Sequence, residues 1–163
     1  MQVFGIGTDI VECERIARML QKHGATFLHR VYTEREIAYC QKRKRAVEHF
    51  AGRWAAKEAI FKALGTGWAK GMAWTDIEIL PDAQGQPLVQ VRAAVHDYMQ
   101  RVGIEKIFVS ISHCRRYATA CALALRATIA DNGSAVGPAQ LSRFGDHDSE
   151  NFADAQDSSD QKL

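Results

Sequence analysis

Hydrophobic and polar positions change rhythm several times along the 163 residues, and each rhythm predicts an element. Val3, Phe4, Ile6, Ile10 and Val11 crowd the start of the chain, and residues 2–9 read as a buried strand. Ile16, Met19 and Leu20 then fall near helical spacing, with Gly24 as the predicted stop. "TERE" at 33–36 fits a capping box, Thr33 capping and Glu36 reaching back, and opens a short helix to about Lys42. Residues 48–64 form the strongest helical pattern, with Phe50, Trp54 and Phe61 on one stripe. "WTDIEIL" (74–80) and "PLVQVRA" (87–93) flank "DAQGQ" and predict a hairpin. "AAVHDYMQRVG" is a helix ending at Gly103. "IFVSIS" and "YATACALAL" alternate cleanly across "HCRR" and predict a second hairpin. Ala118, Ala120, Ala122 and Ala124 share one face of its second strand, a small-residue surface suited to a closely packed helix. Ser110 and Ser112 fall on a polar face. The class is α+β: an antiparallel sheet, its strands split between the first residues and the second half, packed on a long helix.

Composition sets limits. The chain is 47% hydrophobic and 25% charged, as in an ordinary globular protein, and is long enough for one domain with a real core. No apolar run approaches the roughly 20 residues of a membrane span, and the first residues lack a secretory layout. Cys13, Cys40, Cys114 and Cys121 show no metal-finger spacing and are expected as reduced thiols in a cytoplasmic protein.

Charge divides the chain more sharply than its total of +2 suggests. Residues 127–163 hold seven acids against two bases, so residues 1–126 carry +7. The last stretch is poor in large apolar groups and is expected to be an acidic, disordered tail. Residues 1–126 form the working domain, a basic body suited to acidic partners.

Asp9 stands alone in an apolar segment, where its charge calls for a partner. Glu58 lies four residues after Trp54 and three before Phe61, at the edge of the helix's apolar stripe, and raises the same question. Lys62, one turn further on, is its local candidate, an ordinary i,i+4 pair. Arg53, Lys57 and Lys62 give the helix a cationic flank, preceded by "KRKR" (42–45). "GTGWAKG" follows, with Gly65, Gly67 and Gly71 leaving backbone N–H groups open to a phosphate. Two separated carboxylates, several cations and a glycine-rich loop are what a magnesium–pyrophosphate site requires.

"GIGTDIVE" (5–12), "FAGRWAAKEAIFKALGTG" (50–67) and "VSISH" (109–113), in this order and at these separations, resemble the holo-acyl-carrier-protein synthase family. These are the small, single-copy 4′-phosphopantetheinyl transferases, and the resemblance covers about residues 2–126. It implies a transferase of fatty acid biosynthesis, with one copy of the transferase fold per chain. Such enzymes move phosphopantetheine from coenzyme A to a serine of apo acyl carrier protein and leave adenosine 3′,5′-bisphosphate. By matching positions, Asp9 and Glu58 would hold Mg²⁺ with the pyrophosphate, and Lys62 would contact a phosphate oxygen. Lys44, Arg45 and Arg53 would meet the adenosine end and its 3′-phosphate. Gly65, Thr66 and Gly67 would pass close to the nucleotide, and His113 would sit beside the phosphates. Arg15 and Met19 would receive the acidic helix of the carrier protein. A single copy also implies a trimer, with sites between subunits.

Phosphoryl-transfer chemistry needs a base for the serine proton, and either Glu58 or a metal-bound water fills that role. Outside the resemblance, His113 reads as a core or turn histidine, and Arg15 and Met19 as plain surface. The tail either screens the carrier-binding face or is inert. Two other classes fit parts of the pattern. A coenzyme A pyrophosphatase would use the same metal site with water as nucleophile. A nucleic-acid binder would use the +7 body, but it needs neither carboxylate and lacks a basic-aromatic reading surface.

Overall fold

The computed structural model describes residues 1–66 and 71–128. The acidic tail from residue 129 onward lies outside the described residues, as do Gly67 and the rest of 67–70. Five strands and four helices follow one another as β1 (Gln2–Glu12), α1 (Cys13–Val31), α2 (Glu34–Gln41), α3 (Ala46–Leu64), β2 (Ile77–Pro81), β3 (Pro87–Val91), α4 (Ala93–Val102), β4 (Ile104–His113) and β5 (Tyr117–Arg126). The predicted α+β class holds. Strands β1, β5 and β4 make one antiparallel sheet in that order, and β2 and β3 pair as a separate hairpin.

The central element is α3. The sequence showed a single apolar stripe on it, but the helix is buried nearly all round, including Arg53 and Lys57. Its flanks meet β1 and β5 on one side, and Phe27, Tyr32 and Trp74 on the other. Trp54 stacks on Trp74 at 4.6 Å between ring centroids and lies 5.8 Å from Phe27. The four alanines of β5 are all buried, as the small-residue face predicts, and let the helix lie close to the sheet.

The expected cationic flank on α3 does not exist. Lys57 is fully buried, and its ammonium donates to Glu36 at 2.7 Å, Val31 O at 2.7 Å and Trp74 O at 3.0 Å. All three N–H donors are satisfied, and Glu36 also accepts from the Ile79 amide. Burial pushes the Lys57 pKa down, and the Glu36 charge opposes that shift. The knot ties α1, α2, α3 and β2 together.

Strand β1 is inverted relative to its apolar pattern. Val3, Ile6 and Ile10 are 57%, 66% and 67% exposed on the outer face of the sheet. The face turned toward α3 carries Gly5, Gly7, Asp9 and Val11. A Cβ on Gly5 or Gly7 would fall onto the carbonyl oxygen of Ala63 or Ala59. The glycines are there because strand and helix backbones touch.

Other boundaries shift less. Gly24 leaves the helix as predicted, with φ of 50°, but the chain resumes helix as far as Val31 because Phe27 and Val31 are core residues. The Thr33–Glu36 capping box forms in both directions. Residues 74–76 are a 3₁₀ turn rather than strand, closed by the Asp76 carboxylate accepting from Ala73 N. Both hairpins form, and Gly103 ends α4 in the left-handed region.

Candidate active site

Period-two alternation places Asp9 on the same face as Gly5 and Gly7, two residues beyond the closest approach of β1 to α3. The glycines therefore aim its carboxylate at the second half of that helix. Lys62 reaches back from α3, and its Nζ lies 2.9 Å from Asp9 Oδ1 and donates to Thr8 O at 3.0 Å. This corrects the expected pairing: the partner of Lys62 is Asp9, not Glu58 one turn away. Asp9 is mostly buried, and burial raises its pKa while Lys62 and then Arg15 pull it down.

Glu58 is left without a hydrogen bond or ion pair among the described residues. Its carboxyl is pushed from the usual 4.5 to about 7, first by burial and then by the charge of Asp9, with Lys62 and Arg15 opposing. The two carboxylates thus feel each other and share the same two cations. Arg15, from the first turns of α1, belongs to this charge cluster. Met19 lies one turn further along α1, half-exposed.

The first half of α3 organises a second cluster. His113, at the end of β4, has its Nδ1 3.4 Å from Glu48 Oε2, and its ring meets that of His49 edge-on at 5.2 Å. Arg45, just before α3, lies 3.6 Å from the same Glu48 oxygen. Arg53 is only 6% exposed; its Nε donates to Ile79 O at 3.0 Å and its NH1 to His49 O at 3.3 Å. Its guanidinium also covers one face of Tyr39 at 4.3 Å, with that of Arg43 at 4.4 Å. Burial pushes the His49 pKa down, helped by His113 and then by Arg53 and Arg43. Lys44 is exposed.

The two clusters lie along one helix that rises about 1.5 Å per residue, so α3 spaces the carboxylates from the basic groups. At its end Gly65 caps in the left-handed region, with φ of 68°, and donates to Lys62 O, while Thr66 N donates to Phe61 O. Thr66 Oγ1 also contacts Met72 Sδ at 3.7 Å. Gly67 lies outside the described residues.

Sequence reasoning missed Glu48, His49 and Tyr39. Glu48 was the most legible of the three, an acid three residues after the "KRKR" run.

Two oxygen donors with an adjacent lysine suit a small hard cation, which takes one or two protein carboxylates and completes its sphere with water and phosphate oxygens. The unpaired Glu58 carboxyl fits such an ion: a cation between the carboxylates would offset the burial and the Asp9 charge that raise its pKa.

The family model of the 4′-phosphopantetheinyl transferase superfamily matches residues 5–122. A holo-[acyl-carrier-protein] synthase of Protochlamydia amoebophila is 50% identical over 119 residues, covering 73% of this chain and 95% of that protein. The crystal structure of holo-[acyl-carrier-protein] synthase from Neisseria meningitidis superposes with a TM-score of 0.72 at 34% identity, covering 77% of this chain and all of that one. A holo-(acyl-carrier-protein) synthase from Bacillus anthracis, in complex with coenzyme A (3′,5′-ADP), superposes at 0.63 with 36% identity, covering 76% of this chain and 97% of that one.

Proposed function

This chain belongs to the 4′-phosphopantetheinyl transferase superfamily, and we propose that the Asp9–Glu58–Lys62 cluster is its catalytic centre. The enzyme transfers 4′-phosphopantetheine from coenzyme A to a serine of apo acyl carrier protein. The products are holo acyl carrier protein and adenosine 3′,5′-bisphosphate. The observation that carries the assignment is the convergence of Asp9 and Glu58, from the first and second of the three motifs, beside one lysine.

Asp9 and Glu58 would hold Mg²⁺, which supplies charge stabilisation on the pyrophosphate oxygens when bound. Lys62 has three N–H donors, two of them engaged by Asp9 and Thr8, and offers the third to a phosphate oxygen. It stabilises the charge that develops on the leaving bisphosphate. Lys44, Arg45, Arg53 and His113 receive the adenosine 3′-phosphate end. Gly65, Thr66 and Gly67 line the nucleotide path. Arg15 and Met19 receive the acidic helix of the carrier, with Arg15 close enough to the carboxylates to set the acceptor serine beside them. Complementary charge speeds that encounter and fades with salt.

The working unit is a homotrimer with sites at its subunit interfaces. Support comes from the outer face of the three-stranded sheet, where Val3, Ile6, Ile10 and Phe108 are exposed together. Light scattering at three times the chain mass is the expected result. The four cysteines are free thiols, which fits a reducing, cytoplasmic setting.

The activity test is mass spectrometry of apo acyl carrier protein incubated with the enzyme, coenzyme A and Mg²⁺. The expected result is a gain of one phosphopantetheine, lost in folded Asp9→Ala and Glu58→Ala variants. A modified carrier in either variant at the parent rate would overturn the assignment.

A further inference from the structure

Glu48 presents a puzzle. Its side chain is only 11% exposed and lies among groups that should attract an anion. A carboxylate there lowers the positive potential that a phosphate would seek. It sits in the first turn of α3, where the helix dipole favours an acid, but that effect needs no burial. Its contacts are more specific. One oxygen, Oε2, faces both Arg45 NH1 at 3.6 Å and His113 Nδ1 at 3.4 Å.

Arg45 and His113 come from different elements, the turn before α3 and the end of β4. Nothing else among the described residues links their side chains. Two cationic or protonatable groups converging without a counter-charge would repel each other and drift apart. Glu48 stands behind both. With Nδ1 of His113 turned to Glu48, Nε2 is the outward nitrogen, and the His49 ring at 5.2 Å limits rotation of the imidazole. The Arg45 nitrogens not facing Glu48 remain available on the open side, where its side chain is 59% exposed.

We propose that Glu48 is a positioning residue for the donor: by holding Arg45 and His113 from behind, it shapes the subsite that reads the 3′-phosphate of coenzyme A. The proposal rests on the reading that Arg45 and His113 meet that phosphate. Glu48 itself touches no substrate atom. Its influence reaches the donor only through its two partners, and therefore only when the 3′-phosphate is present.

That dependence gives the test. KM and kcat are measured for the full chain and for Glu48→Gln with coenzyme A and with 3′-dephospho-coenzyme A, at saturating apo carrier protein. With coenzyme A, Glu48→Gln is expected to raise KM roughly fivefold, about the effect of losing one ion pair, with kcat within about twofold. With the dephospho donor, the same substitution changes KM by less than about twofold. Glu48→Asp, which keeps the charge, recovers part of the coenzyme A affinity. An equal rise in KM for both donors would make Glu48 a general structural residue and overturn the proposal, as would no rise with coenzyme A. If the parent chain itself has the same KM for both donors, the underlying assignment of Arg45 and His113 fails, and the proposal falls with it. Should Glu48→Gln fold poorly, the same comparison on Glu48→Asp decides, because a donor-independent effect there is equally contrary.

Discussion

Lys62 Nζ lies 2.9 Å from Asp9 Oδ1, joining residues 53 positions apart, while Glu58 on the lysine's own helix goes without it. A local helix pair would have made both charges ordinary surface features. The long-range pair instead leaves Glu58 without a hydrogen bond or ion pair among the described residues, close enough to the paired Asp9 to feel its charge.

Lys62→Ala is expected to lower kcat/KM for phosphopantetheine transfer about 100-fold, the usual effect of removing one donor from a charge-stabilising site. The ion pair is 40% exposed on the lysine side, so its loss changes stability by no more than about 1 kcal/mol. Steady-state kinetics with thermal unfolding on the same variant separates the two effects.

Glu58 predicts a pH dependence of stability in the metal-free enzyme. Its folded pKa of about 7 stands above the usual 4.5, so between those values the folded state binds more protons than the unfolded state. Stability therefore falls as pH rises through that window, because the ionised carboxylate is held in a buried site beside Asp9. Glu58→Gln removes the effect. With chelator present, the Tm of Glu58→Gln relative to the parent should rise from pH 5 to pH 8; a constant difference contradicts the assignment.

Gly7→Ala tests the contact that aims Asp9. The added Cβ would meet the Ala59 carbonyl oxygen and also come within 2.6 Å of Ala63 N, both backbone atoms that cannot swing away. A loss of about 3 kcal/mol or more is expected, with transfer activity abolished as β1 is pushed from α3. Gly52→Ala is the control: its Cβ would come within 3.0 Å of a movable Ile111 methyl, and the loss should be small. Urea unfolding of both variants gives the comparison.

Lys57→Met should destabilise the fold by roughly 3–5 kcal/mol, because it leaves Glu36 buried and charged without its partner. Adding Glu36→Gln to that variant removes the stranded charge and should recover part of the loss. Denaturant unfolding of the two single variants and the double variant measures the coupling.

Much of the architecture was legible because its signals are local. The Thr33–Glu36 capping box, the strict alternation of β5 and the Gly103 stop each lie within a few residues, and each forms as the pattern predicts. The motif positions Asp9, Glu58 and Lys62 were also legible, since their spacing is a property of the chain. What could not be read was the identity of distant partners. Lys57 looks like a member of an exposed basic flank until Glu36, Val31 and Trp74 close around it. Val3, Ile6 and Ile10 look like core until Gly5 and Gly7 are seen to bring the opposite face against a helix. A core-facing apolar face and an exposed one have the same composition, and only the packing tells them apart.

The central claim is that Asp9 and Glu58 share one divalent cation with the donor's diphosphate. A crystal structure of the enzyme with coenzyme A and Mg²⁺ tests it most directly. The predicted result is one ion within about 2.0–2.1 Å of an oxygen from each carboxylate and of a pyrophosphate oxygen, with Lys62 at the phosphates. An ion bound to the diphosphate with either carboxylate turned away from it would contradict the account.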